Sequence, residues 1–395
     1  MPPAHNTTDL RRHARRFLPK GVFEFIDRGS EDEVGLRNNR ESFERIKIVP
    51  RTLVDVSKRT LDTSLFGSPM NLPVAIAPTG IAGLCWYQGE LALARAAAEA
   101  GIPFTLATGS MTSMEVVAAE ARGARLWFQL YMWPDRSMSH QLVERAKAAR
   151  YEALIVTVDG VVAGNREYNL RNGFTVPFTF TRTNVLDVLG HPQWLMQVLG
   201  RYMTTTGMPK YENYPAELRT TVTAKPVGRA QPRNDSLTWD DLRVLRKMWT
   251  GPLMVKGILH PADAKQAVDC GADAVIVSNH GGRNCDSTVA PIEALPPIVD
   301  AVGTRTTVIV DSGFRRGTDV VKALALGAKC VLIGRPALYG VAMAGQAGAA
   351  RAITIFRDEI SRTVAQLGCT SIAQIDRSCV TDLTGRQYTS AAVHT

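Results

Sequence analysis

The sequence predicts an α/β fold: a (β/α)8 TIM barrel with an N-terminal helical preface and a long insertion after strand 4. Three observations carry this. Eight short apolar runs each end in a polar or Gly-bearing turn. Ala-rich stretches with helical spacing lie between them, at 91–100, 139–150, 262–270 and 318–326. No G-x-G-x-x-G follows a strand-like run, which disfavours the competing doubly wound sheet. Short apolar runs alternating with helices mark βα units and a parallel sheet. Eight such units match a closed barrel in number and length.

In chain order, residues 8–45 read as the preface: T-D-L-R-R-H-A-R-R-F-L, then Pro19, then F-E-F-I-D-R-G. The barrel is expected over about residues 72–338. Its first two runs, L-P-V-A-I-A and P-F-T-L-A, lead into Pro78-Thr79-Gly80 and Thr108. L-W-F-Q-L-Y carries Gln129 and Tyr131, and A-L-I-V-T-V-D carries Thr157 and Asp159. P-L-M-V-K ends at Lys256, and V-I-V leads into Ser278-Asn279-His280. The last two runs lead into D-S-G-F-R-R-G at 311–317 and Gly334-Arg335. Residues 175–236, after the fourth run, carry Pro, Thr and aromatics without strand periodicity. A connection that long inside a barrel is usually a lid or binding segment. An amphipathic helix over 349–366 closes the fold, and the tail after Cys379 reads as loosely ordered. The whole chain, 1–395, is read as one domain.

Composition narrows the function classes. Hydrophobic content of 45% and charged content of 21% are ordinary for a soluble globular protein. The net charge of +9 would suit nucleic acid or an anionic membrane. No zinc-finger, RNA-recognition or basic-helix signature accompanies it, so nucleic acid is discounted. The six cysteines are scattered without C-x-x-C, which points to buried free thiols in a reducing compartment. A polar, basic N-terminus without an apolar signal core points to the cytoplasm. No stretch is apolar long enough to span a bilayer.

The chemistry is expected at the carboxyl ends of the runs, where barrel enzymes keep their sites. S-N-H-G-G-R at 278–283 sets His280 beside Arg283. Histidine suits proton transfer near neutral pH, and arginine forks onto carboxylates. Taken alone, the same turn can hold only a capping histidine and a surface arginine. The turns after the last two strands place backbone N–H groups with Arg315 and Arg335, a setting for phosphate. Gln129 and Thr157 can bond a flat heteroaromatic edge or merely cap strands. A buried Lys256 needs an anionic or electron-rich partner. A metal site is not expected, because the seven histidines are dispersed. Without G-x-S-x-G, serine hydrolysis is unsupported.

With these residues in view, the chain resembles the FMN-dependent α-hydroxy acid dehydrogenase/oxidase family along nearly its whole length. The matching motifs are L-P-K at 18–20, G-S-E-D-E at 29–33, A-P-T-G at 77–80 and F-Q-L-Y at 128–131. T-V-D at 157–159, S-N-H-G-G-R, D-S-G-F-R-R-G and I-G-R-P at 333–336 complete the series. Through V-L-D…H-P-Q-W at 185–194 it is most similar to the membrane-associated, mandelate-oxidising members.

The resemblance implies FMN as cofactor and oxidation of a 2-hydroxy acid to the 2-oxo acid. It implies His280 as the base, held by Asp159, with Arg283 and Arg166 on the substrate carboxylate. Tyr131 would bond the substrate oxygen, and Lys256 would stabilise negative charge on reduced FMN. Gln129, Thr157 and Ser278 would line the flavin or its ribityl chain, with Pro78, Thr79, Gly80 and Thr108 also on the cofactor. Asp311, Gly313, Arg315, Gly334 and Arg335 would bind ribityl and phosphate. It further implies a homo-oligomer, a tetramer.

Departures from the pattern matter. Phe25 stands where the family usually has Tyr, which removes a hydrogen bond to an anion worth roughly 1.5–3 kcal/mol. Ala107 replaces a usual Ser. Gly109 stands where short-chain oxidases carry Trp, so a bulky aryl side chain is expected. Gly80 matches the mandelate-oxidising members, where many others have Ala. Electrons would pass to a quinone or another acceptor. The alternatives are an oxygen-using oxidase and a tailoring oxidoreductase on a non-hydroxy-acid substrate. A barrel that binds FMN without redox work is opposed by the set Asp159, His280 and Arg283. Residues 184–208 cluster apolar side chains with Trp194 and Tyr202 near Arg182, Arg201 and Lys210. Such a segment can lie in a headgroup plane, placing the protein on the inner face of the cell membrane. It can equally be a lid or an oligomer contact.

Overall fold

The computed structural model describes residues 3–174, 181–224, 235–382, 384 and 386. Three helices form the preface, Thr7–Phe17, Lys20–Asp27 and Val34–Arg45. The Asn6 side chain caps the first by accepting the Asp9 N–H at 2.9 Å. Pro19, which cannot continue a helix, separates the first from the second.

A hairpin that the sequence reading did not foresee comes next, β1 (Thr63–Leu65) and β2 (Ser68–Met70). Its two-residue turn, Phe66-Gly67, has φ of 53° and 77°, the left-handed pair a tight hairpin demands. The barrel follows: β3 (Val74–Ile76), β4 (Phe104–Ala107), β5 (Leu126–Leu130), β6 (Ala153–Thr157), β7 (Leu253–Ile258), β8 (Ala274–Val277), β9 (Thr307–Val310) and β10 (Cys330–Ile333). These pair in parallel in that order, and β10 returns to β3 with Val331 opposite Val74. The expected (β/α)8 barrel is therefore present.

The strands are nearly unbroken apolar runs because both faces are covered. Side chains alternate between those faces. Val74, Ile76, Leu154, Val156 and Val255 pack outward into the main core with the helices. Ala75, Trp127, Ile155, Met254, Ile276 and Ile309 form a separate cluster. Leu65 and Met70 of the hairpin belong to that second cluster, and Phe66 meets Trp127 edge-on with centroids 6.3 Å apart. Two residues beyond Trp127, Ile155, Met254 and Ile309 stand Gln129, Thr157, Lys256 and Asp311. The period of two thus carries an apolar interior into a polar carboxyl end.

Expected helices occur at Gly89–Ala100, Arg136–Ala148, Pro261–Asp269 and Gly317–Ala325. The expected closing helix at 349–366 is present as the second of two helices within Arg335–Gln366, which non-helical backbone at Ala344 and Gly345 separates. The tail after Cys379 is tied down at first, with Val380 buried and paired to Ile48. Thr381 also donates its N–H to the Lys47 carbonyl at 2.8 Å. The rest of that tail lies mostly outside the described residues.

The connection from β6 to β7 is wider than 175–236, because the helix Glu167–Asn172 precedes that range. Within it, 175–180 and 225–234 lie outside the described residues. The described part holds the helix Arg182–Leu189 and a helical run from Pro192 to Thr205 with a π-helical middle. Trp194 and Tyr202 do not face outward as a headgroup anchor requires. Both are buried, the indole N–H on the Leu84 carbonyl at 2.7 Å and the phenol accepting the Gln88 N–H at 3.2 Å. The outward face carries Leu186, Leu189, Met196 and Met203 instead, 57–68% exposed. All six cysteines are free, and only Cys285 is exposed. No described helix is long and apolar enough to cross a membrane.

Trp127 fills the interior where the hairpin closes it, so Trp127→Ala should leave a cavity and cost about 3–5 kcal/mol. Denaturant unfolding reads this, and a loss under about 1 kcal/mol would mean the barrel floor collapses to fill the gap.

Candidate active site

A cavity of about 550 Å³ opens at the carboxyl end of the barrel. Phe25, Pro78, Thr79, Gly80, Gly109, Gln129, Tyr131, Thr157, Arg166, Lys256 and His280 line it. Arg283, Asp311, Gly313, Arg315, Gly334 and Arg335 line it as well. Asp159 lies behind His280, off the wall.

Two expected cofactor contacts do not reach the cavity. The Thr108 hydroxyl donates to the Gln129 carbonyl at 2.6 Å and accepts the Tyr131 N–H at 3.1 Å, stitching two strand ends together. The Ser278 hydroxyl accepts from Lys256 Nζ at 2.8 Å and from the His280 N–H at 3.1 Å. The Thr108 hydroxyl both donates to and accepts from the framework, and the Ser278 oxygen accepts from it twice.

His280 follows β8 on a turn of unusual backbone. His280, Gly281 and Gly282 have φ of 58°, 69° and 70°. A Cβ on Gly281 would stand 2.6 Å from Arg335, and one on Gly282 would stand 2.7 Å from the Leu36 backbone. Glycine is required at both, whereas His280 accepts the strained region as a side-chain-bearing residue. Its Nδ1 meets Asp159 Oδ1 at 2.8 Å, which leaves Nε2 on the cavity side, 3.3 Å from the Tyr131 hydroxyl. Asn284 steadies the carboxylate's residue by donating Nδ2 to the Asp159 carbonyl at 2.8 Å. Burial lowers the His280 pKa from its ordinary value, and Asp159 only partly opposes it. Burial pushes Asp159 the other way, but His280 and Lys256 outweigh it and hold its carboxyl below the usual range. The Tyr131 phenol is pushed up to about 12, by burial and then by Asp159.

The cavity is rich in cations. Lys256 Nζ pairs with Asp311 Oδ2 at 3.1 Å, and its pKa is raised because Asp311 and Asp159 outweigh its burial. Arg335 spends its donors on carbonyls of Ile26, Asp27, Arg28 and Gly281, at 2.9–3.1 Å. Its pKa is lowered to about 10 by burial and by Arg283. Arg315 donates to the Phe314 carbonyl at 2.9 Å, and burial lowers its pKa too. Arg283 donates to the Phe25 and Arg28 carbonyls. Arg166 donates to the Arg283 carbonyl at 3.2 Å, and burial with Arg283 lowers it to about 10. Both guanidiniums lie over the Phe25 ring, at 4.9 and 5.8 Å from its centroid. Five cations therefore face two carboxylates, Asp159 and Asp311, and three positive charges call for anions.

Two kinds of residue were not singled out from sequence. Ser312 lines the wall and bonds Asp311, although it stands inside a quoted motif. Val162, Leu170, Phe174, Tyr211 and Tyr214, from the β6–β7 connection, make an apolar and aromatic side. Tyr211 and Tyr214 stack at 4.9 Å. The Y-E-N-Y spacing of these tyrosines was the available signal. Gln129 Nε2, Thr157 Oγ1 and Asp159 Oδ2 are buried without a protein partner.

Comparison with known proteins gives the chain's relatives. The model of a family described as FMN-dependent dehydrogenase matches residues 14–382. The chain is 40% identical to (S)-mandelate dehydrogenase of Pseudomonas putida over 370 residues, 94% of this chain and 92% of that one. It is 42% identical to L-lactate oxidase of Nostoc sp. over 376 residues, 94% and 97% of the two chains. The crystal structure of the monotopic membrane protein (S)-mandelate dehydrogenase superposes with a TM-score of 0.89 at 38% identity, covering 96% of this chain and 99% of that one.

His280 binds its proton more weakly when folded than unfolded, so stability should rise as pH climbs through the window just below the ordinary value of 6.5. An NMR titration of the imidazole should place its midpoint below 6.5. A midpoint above that value would mean Asp159 dominates burial.

Proposed function

Since the chain belongs to the FMN-dependent dehydrogenase family, we propose that it oxidises an aryl 2-hydroxy acid to the 2-oxo acid. It is an FMN-dependent hydroxy acid oxidoreductase, and the side chain of its substrate and its electron acceptor are the parts proposed here. The observation that carries the reading is His280 Nε2 facing the cavity between a carboxylate on its far side and two arginines beside it.

The residues fit the cofactor. Gln129 Nε2 and Thr157 Oγ1 offer unpartnered polar atoms on the wall. The three surplus positive charges match a phosphate dianion and one substrate carboxylate. Gln129, Thr157, Pro78, Thr79 and Gly80 would hold the ring system. Asp311, Gly313, Arg315, Gly334 and Arg335 would hold ribityl and phosphate. Bound FMN supplies a two-electron sink.

The other parts are the protein's own. Arg283 and Arg166 bind the carboxylate, pre-set over the Phe25 ring and backbone carbonyls. This fixes the substrate's C2 near His280. His280 Nε2, uncharged at neutral pH, accepts a proton from the substrate. Asp159 stabilises the imidazolium so formed and fixes its orientation. Tyr131, its phenol kept protonated by burial, donates to the substrate oxygen as it becomes a carbonyl. Lys256, charged and held by Asp311, would supply a fixed positive charge favouring electron uptake by the bound cofactor. The aromatic side of the cavity, with open space at Gly109 where a Cβ would meet nothing within 4 Å, favours an aryl substituent.

Anaerobic bleaching of the bound flavin with a panel of acids tests this. (S)-Mandelate should bleach it faster than L-lactate or glycolate, and His280→Ala should keep FMN yet slow bleaching by at least about two orders of magnitude. Equal rates across the panel would remove the aryl preference, and near-normal rates in the variant would remove the base.

The acceptor is proposed to be a membrane quinone, with oxygen as the alternative. Leu186, Leu189, Met196 and Met203 project outward from the connection whose residues also line the cavity, and Arg182 and Arg201 lie among them. Peripheral attachment to anionic lipid fits that face and the net charge of +9. Deleting the segment would take buried Trp194, Val198 and Tyr202 out of the core, so point changes are the better test. Liposome co-sedimentation should be lost in a Leu186→Glu, Met196→Glu, Met203→Glu variant with bleaching intact. Unchanged partitioning, or loss of a tetramer instead, would assign the face to an oligomer contact.

A further inference from the structure

We infer that Ser312 is a positioning residue, whose hydroxyl locks the turn bearing His280 to the ion pair of Lys256 and Asp311. The inference rests on His280 being the base. Ser312 stands at φ 76°, where a residue with a Cβ is strained and glycine is not. Its neighbour Gly313, at φ 84°, is glycine of necessity, since a Cβ there would lie 2.3 Å from the Asn39 carbonyl. No such crowding explains the serine. Its bonds do.

Ser312 Oγ donates to Asp311 Oδ1 at 2.8 Å and accepts the Gly281 N–H at 3.0 Å. The other carboxylate oxygen of Asp311 meets Lys256 Nζ at 3.1 Å. Lys256 in turn donates to Ser278 Oγ at 2.8 Å, and that hydroxyl accepts the His280 N–H at 3.1 Å. The consecutive amides of His280 and Gly281 therefore each hang from a serine hydroxyl, and each hydroxyl is bonded to one member of the same buried ion pair. This closes a ring around the left-handed His280 backbone. Removing the Ser312 link leaves the Gly281 amide without its partner and lets the turn relax. The imidazole then loses its fixed approach to the substrate and gains access to water. His280 is faced by Asp159, Tyr131, Lys256, Arg166 and Arg283, so its protonation reports any such shift.

The test uses the FMN-loaded protein carrying Ser312→Gly, with Ser312→Ala as its companion. Glycine relieves the backbone strain while removing the hydroxyl, and alanine removes the hydroxyl while keeping the strain. Ser312→Gly should keep FMN and a melting temperature equal to or above the parent's. Its anaerobic bleaching by (S)-mandelate should fall about 10-fold. The His280 NMR midpoint, and with it the acid limb of the bleaching rate, should move up in pH toward the ordinary value. Ser312→Ala should show the same loss of rate with a lower melting temperature. Parental rate and midpoint in Ser312→Gly would overturn the inference. So would a loss of FMN or of stability in step with the rate in that same glycine variant, which would make the role purely structural. A slow alanine variant beside a normal glycine variant would overturn it as well, by assigning the effect to strain. The His280→Ala result separates the two readings: if that variant bleaches normally the base falls, whereas an inert His280→Ala beside a normal Ser312→Gly removes the Ser312 role alone.

Discussion

Buried positive charge at one end of the barrel is the constraint on which the rest of the structure depends. Arg166, Arg283, Arg315, Arg335 and Lys256 face a cavity whose wall, among the described residues, supplies one carboxylate, Asp311, with Asp159 behind it. Burial at that end pulls the pKa of Arg166, Arg315 and Arg335 down, a direct sign of the cost. The preface relieves part of it. The helix Lys20–Asp27 points its carboxyl end at the barrel, where its last carbonyls have no helical partner. Arg335 takes those of Ile26, Asp27 and Arg28, and Arg283 takes those of Phe25 and Arg28. The helix dipole adds a favourable field there. The preface is thus part of the site, and the remaining charge is left for ligand anions.

The same end of the barrel stores backbone strain. Two non-glycine residues in the left-handed region, His280 and Ser312, come from adjacent strand ends and are joined through the Gly281 amide. Strain of this kind persists only where surrounding bonds over-determine the backbone. Here the bonds come from Ser278, Ser312 and Asn279, which accepts the Gly282 N–H through both its carbonyl and its side chain. A rigid imidazole orientation follows from these bonds.

The barrel was legible because period two and period 3.6 are physical consequences of buried strands and helices. Lys256 and Asp311 could be placed for the same reason, as polar residues at the end of apolar runs. Motif membership conveys neighbourhood but not side-chain direction, which is why Thr108 and Ser278 were read as ligand contacts and prove to bond the framework. The hairpin escaped notice because strands of three residues leave no alternation to detect. Aromatic residues among basic ones fit either a membrane surface or a packed lid, so the sequence left the direction of Trp194 and Tyr202 open. Their polar atoms find backbone partners inside the fold, and flexible Leu and Met occupy the exposed face. The aromatic wall came from a connection without periodicity, where only Tyr spacing gave a hint.

Phe25 shows how these constraints meet in one residue. Read from sequence, it is a lost phenol and a weaker hold on the substrate. In the structure its ring is shared by two guanidiniums, and its carbonyl accepts from one of them. Each cation over an aromatic face gains about 0.5–2 kcal/mol, which offsets part of the repulsion of two like charges held together. The carboxylate can then be recognised by charge without the missing hydroxyl. The same ring also packs on Phe174, centroids 5.5 Å apart, on the side formed by the long connection. One aromatic residue therefore joins the anchor for the acid to the wall that meets its side chain. The chemistry rests on strand ends and the preface, while the selection of side chain rests on the connection. A barrel divided in this way can change its substrate by altering the connection and leave the proton-transfer geometry intact.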